Sequence, residues 1–232
     1  MFVEAIEISG NFTFPLIISS RTVSGRCSSE IGAAVVVNDE GWIATTSHNL
    51  RLWSELQKEV AQTVGRDATV AAIESDTTID WAEKHRKVEA LPPVTKESKD
   101  RCSLWLGIRG TGNLVDMKFL NSRFFEDAVD IGVGRLEPFD PKWVAKYPVF
   151  KDPTRNFKQG RSLCKVGFPF HQVTPTYDAA TESFVFPPGT IPVQDFQSAA
   201  YLHAPKHPSL QLFIQRRAPN WNNLAYRIPS YM

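Results

Sequence analysis

The sequence predicts a mainly β protein, an antiparallel barrel or sandwich with helices inserted into one loop. Three observations lead there. Short β-branched and aromatic runs recur with turn signals between them. Between residues 51 and 91 the apolar spacing switches to a helical period. From Ser103 the short runs return.

Residues 11–20, NFTFPLIISS, predict a first strand, with Pro15 favouring an edge. Arg21 to Ile31 is polar, contains Gly25 and three serines, and predicts a loop. Ala33 to Val37 is a short β-branched run that predicts a buried strand. The cluster Asn38-Asp39-Glu40-Gly41 predicts a turn, with glycine where a positive φ is cheap. Trp42 to Thr46 predicts the returning strand, and His48 stands just beyond its end. A hairpin of this kind can hold an imidazole rigidly; the plainer alternative is a loop histidine without a chemical role.

Leu52, Leu56, Val60 and Val64 recur every four residues and predict an amphipathic helix ending near Gly65. Ala68 to Ile73 predicts a short strand. A second helix is expected over Thr78 to Leu91, opened by Asp76-Thr77-Thr78 and closed before Pro92-Pro93. Lys96, Glu97, Lys99, Asp100 and Arg101 mix both signs of charge and predict a solvated loop.

Strands are then expected over Ser103 to Ile108, Leu114 to Phe119 and Val129 to Leu136. Arg109-Gly110-Thr111-Gly112-Asn113 supplies a turn between the first two. It joins strands rather than opening a helix, so it is a poor phosphate loop. Pro138 to Phe157, rich in proline and aromatics, predicts a connector between two lobes. Further strands are expected from Arg161 to Phe168, Gln172 to Tyr177 and Ser183 to Phe186. From about Ile191 no pattern holds, and five prolines interrupt the tail.

The totals exclude several classes. A length of 232 residues allows one large domain or two small ones. A net charge of +1 argues against a dedicated nucleic-acid binder. No apolar run is long enough for a transmembrane helix, and the first ten residues have no basic segment like that of a secretory signal. Cys27, Cys102 and Cys164 are odd in number and widely spaced, which suits a reducing, cytoplasmic setting. Cys164 lies in an apolar run and reads as a core residue. No cysteine pair has zinc-ligand spacing, and no cofactor is expected.

Asp130 is the second residue of chemical interest. It lies near the start of an apolar strand, where a carboxylate is expensive to bury unless paired. An aspartate that accepts from a histidine ring fixes the tautomer and stabilises the imidazolium. The alternative is an ordinary strand-start or turn aspartate. His85 falls in the second expected helix and reads as a surface residue, and His171 as a rim residue. His203 and His207 are four apart, but Pro205 between them argues against the helix that would aim both at a metal.

Three segments in order carry a resemblance. Thr45-Thr46-Ser47-His48-Asn49-Leu50 resembles the T-A-A-H histidine motif of the trypsin-like (chymotrypsin-fold) serine peptidase superfamily. Asp130-Ile131-Gly132-Val133-Gly134-Arg135-Leu136 resembles its aspartate motif, D-[IL]-A-[VL]-x-[RK]-[LV]. GRSLCKVGFPF, from Gly160 to Phe170, resembles the strand that follows the interdomain linker. The resemblance spans about residues 30 to 170. It implies a chymotrypsin-like double β-barrel with a cleft between the barrels, His48 as general base and Asp130 as its orienting partner. The substrate implied is a peptide or protein, with no nucleic acid, membrane or cofactor; no oligomeric state is implied.

On this basis residues 1–140 are expected to form the first barrel, complete and carrying a helical insertion at about 51–91. Residues 141–160 would be the linker, 161–190 part of an incomplete second barrel, and 191–232 an irregular tail. The chain departs from the family in one respect that decides activity. Its nucleophile motif, G-[DN]-S-G-G, is absent: Ser162, Ser183, Ser198, Ser209 and Ser230 are each followed by something other than glycine. The expectation is a truncated or inactive peptidase, a pseudoenzyme. The alternative is a non-catalytic peptide- or protein-binding module on the same scaffold.

Overall fold

The computed structural model describes residues 7–108, 113–126, 128, 130–150, 168 and 173–187. Six strands close an antiparallel barrel: β1 (Thr13–Thr22), β2 (Cys27–Val36), β3 (Trp42–Thr45), β4 (Lys99–Gly107), β5 (Leu114–Glu126) and β6 (Ile131–Glu137). Around the barrel the order is β1-β2-β3-β6-β5-β4, with β4 pairing back onto β1. Strands β1, β2 and β3 follow one another through turns. The chain then leaves the barrel through α1 (Ser47–Ser75) and α2 (Trp81–Glu89) and returns as β4 beside β1. That gives the 4-1-2-3 arrangement of a Greek key.

Phe14, Leu16 and Ile18 alternate along β1 and meet Ala34 and Val36 of β2, Ile43 of β3, Leu104 and Leu106 of β4, Met117 of β5 and Leu136 of β6. Trp53 and Leu56 of α1 join this core. Burying each large side chain contributes roughly 1.5–3 kcal/mol, which makes this cluster the main source of the fold's stability. The other face of β1 is also covered. Ile17 is fully buried, and the two-stranded hairpin of β7 (Thr176–Asp178) and β8 (Ser183–Val185) lies nearby. The Arg21 guanidinium stacks 4.5 Å over the Tyr177 ring, Arg101 Nε donates to the Tyr177 hydroxyl at 3.2 Å, and Trp105 meets Phe186 edge-on.

Several expectations need correction. Arg21 to Ile31 is not a loop: β1 and β2 pair from Arg21↔Cys27 onward, leaving only a tight turn at 23–26. The serines that suggested a loop bond across the ladder, Ser19 to Ser29 at 2.8 Å and Ser20 to Ser28 at 3.2 Å, so this part of the sheet is held by polar pairs. Pro15 lies in a strand paired on both sides; the ladder with β4 begins one residue later, at Leu16. Lys99, Asp100 and Arg101 belong to β4 rather than a solvated loop. Glu59 of α1 accepts from the Lys99 amide at 2.8 Å, and Arg21 pairs with Asp100 at 3.6 Å.

The first helix does not end near Gly65, and Ala68 to Ile73 is helical, not a strand. A glycine costs a helix only about 1 kcal/mol relative to alanine, too little to stop a run continued by Ala68, Ala71 and Ala72. The second helix starts at Trp81 rather than Thr78, because Asp76 folds back on Thr78 and Asp80 caps the helix instead. His85 is exposed on that helix, 3.3 Å from Glu89 and stacked on Trp81. The turn at 38–41 forms as expected, with Gly41 at φ +82; a Cβ there would meet Phe139 and the Leu136 carbonyl inside 3 Å. The strand expected over Val129 to Leu136 begins at Ile131. Among the described residues no helix is long and apolar enough to cross a membrane. Cys164, His171, His203, His207, the turn residues 109–112 and the tail from Ile191 lie outside the described residues. So does the strand expected from Arg161, except for Phe168.

Candidate active site

Strand β3 runs directly into α1. Thr45 ends the strand, Thr46 is the N-cap in extended conformation, and Ser47 opens the helix. His48 is therefore the second residue of a long helix rather than a loop residue. Two glycines let this first turn lie close on the barrel. A Cβ on Gly132 of β6 would sit 2.6 Å from Leu50 Cδ1, and one on Gly32 of β2 would overlap the Asn49 amide group. Asn49 is buried and donates to Thr45 Oγ1 at 3.3 Å, while Thr45 Oγ1 donates to the Ala33 carbonyl at 2.8 Å. Leu50 is fully buried. The backbone that carries His48 is pinned from both sides.

Asp130 comes from the other side of the same strand pair. β3 and β6 run antiparallel with Thr45 opposite Gly132, so the end of one strand lies beside the beginning of the other. Asp130 immediately precedes β6 and has φ +53, a left-handed conformation that aspartate tolerates better than most residues. This turns its carboxylate onto the start of α1. Asp130 Oδ2 lies 2.8 Å from His48 Nδ1, and Oδ1 lies 3.0 Å from the same atom. Oδ1 also accepts from the His48 backbone amide at 3.1 Å and from the Ser47 hydroxyl at 2.9 Å.

This arrangement has an electrostatic logic. The first turn of α1 has no acidic residue of its own and no side-chain cap from Thr46. Asp130, from a distant part of the chain, puts negative charge at the positive end of the helix. Burial is the largest single influence on its carboxyl and pushes its pKa up. The His48 amide, the Ser47 hydroxyl and the His48 ring together outweigh it and hold the carboxyl below the ordinary carboxylate range. An ionised carboxylate only accepts hydrogen bonds, so Nδ1 carries a ring proton; in the neutral ring Nε2 then keeps its lone pair. Nε2 lies 3.2 Å from Thr46 Oγ1. The ring is open to solvent, with the His48 side chain 66% exposed and that of Asp130 48%.

The structure thus brings together the two site residues that the sequence singles out. It adds two hydroxyls, Thr46 and Ser47, that the sequence reading passed over. They stand where the T-A-A-H motif has alanines, and each bonds one member of the pair. Of the serines after Gly160, Ser183 is described; it lies in β8 and shares a hydrogen bond with Thr181 at 2.8 Å. Ser162, Ser198, Ser209 and Ser230 lie outside the described residues. Among the described residues no group of three or more His, Cys, Asp or Glu side chains is placed to hold a metal ion. No protein-family model and no curated protein matches the chain.

Proposed function

We propose that the chain carries a trypsin-like serine endopeptidase fold with two members of the triad, His48 as general base and Asp130 as its orienting partner. In this reading the six-stranded barrel is the first of a chymotrypsin-like pair, the helical excursion is an insertion in it, and the second barrel is incomplete. The substrate class is a peptide or protein, and the chemistry to which the site is suited is acyl transfer. Lacking the G-[DN]-S-G-G turn, the chain as written does not hydrolyse peptide bonds.

One observation supports this most: beyond capping the helix, the Asp130 carboxylate has both oxygens within reach of the His48 ring nitrogen Nδ1. An aspartate serving only as a helix cap needs one oxygen, and Oδ1 fills that role with the His48 amide and Ser47. Oδ2 makes the shortest contact, at 2.8 Å, with the ring nitrogen opposite the one a general base would use. The test is exposure of the full chain to a fluorophosphonate probe, followed by peptide mapping, beside a nitrogen-15 spectrum of the histidine rings. The expected result is no labelled hydroxyl, with His48 held as the Nδ1–H tautomer. Stoichiometric labelling at a serine would reveal a nucleophile and overturn the inactive reading. A ring without a tautomer preference would remove support for His48 and Asp130 as base and partner.

A further inference from the structure

We infer that Thr46 is a positioning residue whose hydroxyl holds Nε2 of His48 in the resting protein; this deepens the base-and-partner reading above and rests on it. Three observations carry the inference. Thr46 Oγ1 lies 3.2 Å from Nε2, within hydrogen-bond reach. With Nδ1–H directed to Asp130, Nε2 of the neutral ring has only a lone pair to offer, so the threonine hydroxyl donates. Thr46 is also the N-cap of α1, where a threonine ordinarily bonds an amide of the first turn; here its side chain makes no such bond. The Asp130 carboxylate has taken the His48 amide, which leaves the Thr46 hydroxyl available to the ring.

The imidazole is therefore held at both nitrogens, by Asp130 on one side and by its own helix cap on the other. The atom that would accept a nucleophile's proton is occupied by a residue two positions earlier in the chain. Thr46 must rotate away before Nε2 can serve as a base toward anything else. Alanine at position 46 would leave the ring nitrogen without this hydroxyl.

The experiment measures how fast His48 reacts with diethyl pyrocarbonate in the full chain, read by peptide mapping at about pH 8, where an ordinary imidazole is uncharged. In that reaction Nε2 attacks a carbonyl carbon, monoethyl carbonate leaves, and the Nδ1 proton is lost. Thr46→Val and Thr46→Ala are expected to react about three- to tenfold faster, the factor that one hydrogen bond of ordinary strength represents. Thr46→Ser is expected to react at the rate of the unaltered chain. A valine variant no faster than the unaltered chain, or a serine variant as fast as alanine, overturns the inference. The unaltered chain offers a second reading that needs no variant: the Nε2 nitrogen-15 resonance is expected upfield of a free ring nitrogen, and a free-nitrogen position overturns the inference. Asp130→Asn reports on the underlying pair. An unchanged ring tautomer in that variant overturns the pair and the inference with it. A changed tautomer, beside a Thr46→Val rate equal to that of the unaltered chain, overturns Thr46 alone.

Discussion

The two helices of the excursion begin in opposite ways. Helix α2 supplies its own start: Asp80 accepts from the Glu83 amide at 2.8 Å, and Glu83 puts negative charge in the first turn. Helix α1 supplies almost nothing locally. Its cap residue turns to a ring nitrogen, its first turn has no acid, and the charge at its positive end comes from Asp130, on the far side of the barrel sequence. The burial differs in the same sense. Ser47, Asn49, Leu50, Trp53 and Leu56 of α1 are buried, whereas α2 buries no residue. A helix that starts on local signals can form wherever the chain leads it. One that starts on distant contacts forms in one place only, and that is how a side chain near its start acquires a fixed position.

Removing the packing under α1 gives the largest expected effect. Leu50→Ala empties a fully buried site against Gly132 and should cost about 2–5 kcal/mol in urea unfolding, with His48 losing its single environment. An unchanged midpoint would mean that α1 is not anchored there. Asp130→Ala removes the distant cap and should cost about 1–2 kcal/mol of global stability. Its pH signature follows from the direction of the pKa. The folded carboxyl is depressed, so its stabilisation is full above the unfolded pKa, near 4, and is lost as pH falls through the folded value. Asp130→Asn should therefore weaken the acid limb of the stability profile, and an identical limb in the two proteins would contradict the assignment. Asp80→Ala removes a cap of the same chemical kind, worth about 1 kcal/mol, but should show as fraying of α2 by amide exchange rather than as a shift of the global midpoint. Gly65→Ala is the smallest change. Nothing lies within 4 Å of the added Cβ, and helix propensity should rise by about 0.5–1 kcal/mol, read as tighter amide protection along the distal half of α1.

The same contrast explains what the sequence disclosed. The Asn38–Gly41 turn, the existence of two helices and the runs that became β3, β4 and β6 are local patterns and were legible. His48 and Asp130 were legible because each sits in a short motif at a strand end, although neither motif says that the two meet. What stayed hidden depends on partners elsewhere. Ser28 and Ser29 look like loop residues until Ser20 and Ser19 are placed across from them. Lys99 to Arg101 look solvated until Glu59, Arg21 and Tyr177 are brought to them. Gly65 looks like a terminator because a glycine is read by propensity, which here is weaker than the helix on either side. Thr46 and Ser47 were overlooked because a hydroxyl beside a histidine carries no signal until the ring's orientation is known.

The closing of β3 onto β6 has a consequence for how the molecule assembles. Trp42 to Thr45 pair with Arg135 to Gly132, strands separated by the whole helical excursion and by β4 and β5. Such non-local pairings are slow to form, because the intervening chain must be ordered before they bring any contact energy. Helix α2, which starts on local signals, depends mostly on near neighbours and is expected to form early. The His48–Asp130 hydrogen bond has no existence before the β3–β6 seam is made. The ring resonances of His48 are thus a natural clock for refolding, reporting the moment the seam joins, while amide protection along α2 reports the earlier event.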